Sequence, residues 1–118
     1  EVVDPVTIRP LDFDSIAASA RRTGHVIIVD NGWVDFGTSA EIAARIAEDD
    51  SLASIKVRRM GYAPTTCPTT PWLEKGYYPN PATIAEAAHT LLKPNAPTWS
   101  PNPERAELTY QTQFRGPF

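Results

Sequence analysis

The sequence predicts an α/β domain, a mostly parallel sheet with helices packed on both faces. Three observations carry this. The short apolar run His25–Asp30 (HVIIVD), rich in β-branched residues, reads as a buried parallel strand. Stretches with apolar residues at helical spacing stand on either side of it. Strand and helix patterns then alternate along the chain, the order that parallel sheets with right-handed crossovers require.

The elements follow in order. Val2 to Ile8 reads as extended, with Pro5 marking an edge or a bulge. A helix comes next: Asp12 or Asp14 caps it, Phe13, Ile16, Ala17 and Ala20 form its buried stripe, and Gly24 ends it after Arg21 and Arg22. Thr38 and Glu41 have capping-box spacing ahead of a second helix, which buries Ile42, Ala43, Ile46 and Ala47 and stops near Asp49 and Asp50. The next strand runs from Ile55 to Met60. Gly61 to Pro71 holds three prolines and four threonines and reads as irregular. Trp72 to Lys75 makes a short helical turn. Asn80 and Pro81 open a last helix with the best amphipathic stripe of the chain, Ile84, Ala85, Ala88, Leu91 and Leu92. Two regions result: a domain over 1–93 and a Pro-rich extension over 94–118, read as a surface wrap or flexible extension.

Composition excludes several classes. The 118 residues suffice for one domain with a modest core. A net charge of −3 gives no electrostatic case for nucleic acid, which wants a basic face. No apolar run approaches the roughly 20 residues that span a bilayer. The single cysteine, Cys67, allows no internal disulfide and suits a reducing, cytoplasmic compartment. The opening at Glu1, already inside a strand pattern, reads as a processed product or a fragment.

The stretch between the first apolar strand and the second helix, DNGWVDFGTSAEI, has the layout of a cofactor loop. Its chemistry does not match. Gly32 and Gly37 lack the three-glycine spacing of a dinucleotide fingerprint, no lysine follows for a phosphate loop, and Trp33 and Phe36 crowd the space. The loop reads as a structural corner. His25 and His89 have no acid spaced to orient them, Cys67 has no helix start behind it, and Glu48-Asp49-Asp50 lacks the alternation of a calcium loop. No catalytic, cofactor-binding or metal residue is therefore assigned.

VDNGW...FGTSAEIAARIAED resembles the Glu-Gly-Trp...Gly-x-Gly-Ala-Glu-Ile-Ala-Ala-Arg-Ile pattern of one family domain. VTIRPLDFDSIAASARRTGHVIIVD and PWLEKGYYPNPATIAEAAHTLL extend the resemblance over Val2 to Lys93. The domain is the C-terminal, transketolase-type domain in β subunits of thiamine-diphosphate-dependent 2-oxo acid (pyruvate and branched-chain) dehydrogenases. The resemblance implies an oxidoreductase whose thiamine diphosphate and magnesium lie in other domains, and a C-terminal domain that serves subunit association. It also implies that a first strand and helix are missing here. That strand normally lies between those matched by Val2–Ile8 and Val26–Asp30, so another chain of an oligomer is expected to supply it.

Trp33, Phe36, Trp72, Tyr77 and Tyr78 stand on loops or short turns in this reading. They are candidates for a subunit interface, because Trp and Tyr bury much area at low entropic cost. The alternative is a free-standing, non-catalytic interaction module of the same fold.

Overall fold

A computed structural model describes residues 1–104. Asp12 starts the first helix, α1 (Phe13–Thr23), by accepting hydrogen bonds from the Ser15 amide at 3.1 Å and the Ser15 hydroxyl at 2.6 Å. Gly24 ends the helix in the left-handed region, φ 70°, where its amide bonds the Ala20 carbonyl. The Ser15 hydroxyl, and after it the Ser15 amide, hold the Asp12 carboxyl below its ordinary value of 3.8. A depressed folded-state pKa stabilises above the unfolded value and is lost as pH falls through the folded one. The melting-temperature gap between the parent and Asp12→Ala is therefore expected to be full above pH 3.8 and to narrow below it, measured by thermal denaturation across an acid series.

Strand β1 (His25–Trp33) and strand β2 (Lys56–Tyr62) form a parallel pair in register, Val26 beside Val57 and Ile28 beside Arg59. Helix α2 (Thr38–Glu48) and a 3₁₀ turn at Asp50–Leu52 make the crossover between them. The predicted α/β class with parallel pairing is what the chain forms. Ala17 and Ala20 of α1, Ile28 of β1, Ile42 and Ile46 of α2, and Leu52 make the core, with Phe13, Val26, Ile55 and Val57 packed around it. Arg45 of α2 lies over the Phe13 ring at 4.2 Å, a cation–π contact that closes the core's edge. Helices α3 (Pro71–Glu74) and α4 (Pro81–Leu92) follow; Asn80 and Thr83 form a capping box at the start of α4.

Four expectations need correction. Val2–Ile8 is not a strand. Asp4 accepts the Val6 amide, Val6 sits at φ 59°, and among the described residues no strand pairs with the segment, so Val2, Val6 and Ile8 stay exposed. The segment is fastened at its start, where the Glu1 carboxylate accepts from Arg22 and, at 2.8 Å, from the Ser19 hydroxyl. Arg22 first, then Ser19, hold the Glu1 carboxyl below its usual range.

The apolar run in β1 is covered well on one face only: Ile28 is buried, but Val29 is 45% exposed. The reason lies in α4. It meets both strands, yet none of its residues is buried, and Leu92 is 60% exposed. Ala47, expected inside, is exposed, because Arg45 and Ile46 take the covered side of that turn. Trp33 and Tyr62 end strands and do not lie on loops. Of the Pro-rich extension over 94–118, residues 105–118 lie outside the described residues.

Candidate functional site

The β1–α2 corner is built around Asp30. The capping box expected from Thr38 and Glu41 does not form: Gly37 is the N-cap, and no side chain of the helix's own start caps it. The Asp30 carboxylate does that work from the strand, accepting the Ser39 amide at 3.3 Å. A carboxylate facing free helix amides is favourable both as hydrogen-bond acceptor and as negative charge at the dipole's positive end. The sequence signal was an acid ending an apolar strand just before a glycine turn, and the closer Thr-x-x-Glu spacing masked it.

Two glycines let the backbones crowd here. A Cβ on Gly37 would stand 2.2 Å from the Trp33 carbonyl oxygen, and one on Gly61 would stand 2.4 Å from the Gly32 carbonyl oxygen. Arg59 donates to the Val34 carbonyl and ties the turn to β2. The corner is thus filled by the chain's own groups. Ser39 is fully buried, and its hydroxyl has no partner among the described residues. An unpaired buried hydroxyl costs about 1–3 kcal/mol. Ser39→Ala is therefore expected to raise stability by about 1 kcal/mol, read as a higher urea midpoint with an unchanged slope.

The turn between Trp33 and Thr38 presents aromatic surface. Phe36 sits at φ 60°, and its side chain is wholly exposed, while Trp33 beside it is 57% exposed. A bulky side chain in the left-handed region is a backbone outlier of about 1–3 kcal/mol, of the kind concentrated at functional positions. Trp72 is 79% exposed, with Lys75 Nζ 5.2 Å from its ring centre.

Tyr77 and Tyr78 are placed differently. Tyr77 is buried, stacked on Tyr62 at 4.9 Å, and Tyr78 meets both rings edge-on at 5.2 and 4.9 Å. Their area goes into fastening the segment after α3 to the end of β2. Cys67 Sγ lies 3.5 Å from the Tyr78 hydroxyl. That contact, with burial behind it, pushes the Tyr78 hydroxyl up to about 12.

Two of the remaining candidates, His25 and Asp49, have structural partners. His25 Nδ1 lies 3.2 Å from the Thr23 carbonyl. Asp49 caps the 3₁₀ turn through the Ser51 amide and stands 3.7 Å from Arg21. No group of three or more His, Cys, Asp or Glu among the described residues could hold a metal ion. Among the described residues no helix is long and apolar enough to cross a membrane.

The comparisons fit this geometry. Residues 1–84 match the family model described as the C-terminal domain of transketolase. The chain is 37% identical over 94 residues to the mitochondrial pyruvate dehydrogenase E1 component subunit beta of Drosophila melanogaster, covering 78% of this chain and 26% of that protein. The human protein of the same name is 50% identical over 48 residues, 41% of this chain and 13% of the relative. That of Ascaris suum is 32% identical over 94 residues, 78% and 26%. The chain spans at most about a quarter of the length of these relatives.

Proposed function

The chain belongs to the transketolase C-terminal domain family, and we propose that it acts as the subunit-association domain of a pyruvate-dehydrogenase-type E1 β component. Decarboxylation of the 2-oxo acid is then the work of domains outside these residues. The observation that carries this reading is Phe36, a fully exposed aromatic held in the left-handed region beside exposed Trp33. Strain spent on presenting an aromatic to solvent makes sense when a partner covers it. Trp72 adds a third exposed anchor.

The outer edge of β1 supports a second contact. β1 pairs only with β2 among the described residues, and Val2–Ile8 does not reach its other side. A strand from another part of the assembly fits there, because an unpaired edge beside half-exposed Val29 is a template for strand addition.

Thiamine diphosphate and magnesium enter this reading through the family. The described side chains do not fit them: there is no donor trio for the ion, and the Asp30 carboxylate already occupies the N-terminus of α2, where it would repel a diphosphate. No step of chemistry is assigned to these residues. The compartment follows the same reading. The relatives carry "mitochondrial" in their names, and the lone exposed Cys67 suits a reducing organelle interior as well as a cytoplasm.

The test is Phe36→Gly in an affinity-tagged chain expressed in its own host. The parent is expected to co-purify with a chain carrying the family's Gly-Asp-Gly...Asn diphosphate motif. The variant is expected to melt higher, since glycine relieves the left-handed strain, and yet to lose that chain. A parent that retains no such chain, or a variant that retains it undiminished, contradicts the reading.

A further inference from the structure

The outer edge of β2 carries a different chemistry from that of β1. The Lys56 amide bonds the Gly24 carbonyl at 3.2 Å, so the backbone groups of Lys56 turn toward β1. In a parallel ladder the alternate residues turn theirs away, which leaves the amide and carbonyl groups of Val57 and Arg59 facing outward. β2 has no second neighbour among the described residues.

Beside that edge lies an open groove of about 550 Å³, lined by Val34, Ala43, Val57, Arg58 and Arg59. Side chains alternate along the strand. Val57 packs toward the core and α2, while Lys56 and Arg58 are exposed on the opposite face, and neither forms an ion pair with a described residue.

We propose that the outer edge of β2 docks an acidic extended peptide, whose backbone pairs with Val57 and Arg59 and whose carboxylates meet Lys56 and Arg58. Its residues of the other phase are small and apolar and lie along the Val57 side of the groove, beside the Arg59 side chain that bonds the Val34 carbonyl. Charge selects the occupant. Cross-strand opposite charges stabilise and like charges repel, so a second copy of this edge, which would set Lys56 and Arg58 against their own kind, is excluded as the partner. Basic residues on an edge strand guard it against indiscriminate pairing, and the same residues admit a strand that brings carboxylates.

The probe is the blocked peptide Glu-Val-Glu-Val-Glu-Val, with Lys-Val-Lys-Val-Lys-Val as control, titrated at low salt into the full ¹⁵N-labelled chain. The acidic peptide is expected to shift the Val57 and Arg59 amides and to bind roughly tenfold tighter than the control. Charge reversal in the double variant Lys56→Glu, Arg58→Glu is expected to invert that preference. Both positions are exposed, so the dispersion of the remaining amides reports that the variant is folded. Equal binding of the two peptides, no binding of the acidic one, or a preference that survives charge reversal overturns the proposal. A short oligouridylate that shifts the same amides more strongly also overturns it, assigning the patch to nucleic acid.

Discussion

Gly61→Ala is expected to destabilise the chain by about 2–3 kcal/mol in urea denaturation, the size typical of overpacking that side chains cannot relieve. The new Cβ would stand 2.4 Å from the Gly32 carbonyl oxygen and 3.2 Å from the Val34 amide nitrogen. Both are backbone atoms, so the strands themselves must part. They part at a weak point, since the β1–β2 register shifts between Val29 and Trp33 and resumes only at Trp33 beside Tyr62. Losing that last pair also pulls Tyr62 away from Tyr77. Gly76→Ala is the control. Its Cβ would meet only the Leu73 carbonyl oxygen, at 3.7 Å, and the expected change is within about 0.5 kcal/mol.

Ile46→Ala is expected to cost about 3–4 kcal/mol, the transfer of buried methylenes plus the cavity they leave. Ile46 is 2% exposed in the middle of the cluster that joins α1, β1, α2 and Leu52, and few other residues share that burial. Domains of this size are stable by about 5–15 kcal/mol, so one such change removes a large share of the folded population. Leu92→Ala, at a site 60% exposed on α4, is expected to cost well under about 1 kcal/mol by the same measurement. A large effect at Leu92 would mean that α4 is packed more closely than its exposure indicates.

The parts of the fold legible in the sequence are those fixed by neighbouring residues. Asp12, Gly24, Asn80 and Pro81 act through the first or last turn of their own helix; the last three are where the sequence reading put them, and Asp12 is one of the two caps it offered for α1. The stripes of α1 and α2 were legible because helical period places Ala17, Ala20, Ile42 and Ile46 on one side whatever covers them.

What failed depends on distant partners. An extended run such as Val2–Ile8 becomes a strand only beside another strand. The α4 stripe is buried only if something lies over it. The cap of α2 came from Asp30, eight positions before the residue that the Thr-x-x-Glu pattern names. Among the candidate interface residues, exposure separates Trp33, Phe36 and Trp72 from Tyr77 and Tyr78. The adjacent tyrosines gave no local sign that they would turn inward onto Tyr62.

The central claim is that this domain works by association within a larger thiamine-dependent assembly. The most direct measurement is an intact mass of the purified native material, taken under non-denaturing and then denaturing conditions. The expected result is an assembly well above 13.0 kDa that separates into this chain and at least one different chain, one of them supplying a strand for the free edge of β1. A thiamine-dependent decarboxylation assay on that assembly would follow. Masses of 13.0 kDa chains alone, or of such chains paired only with themselves, would contradict the claim and leave a free-standing interaction module.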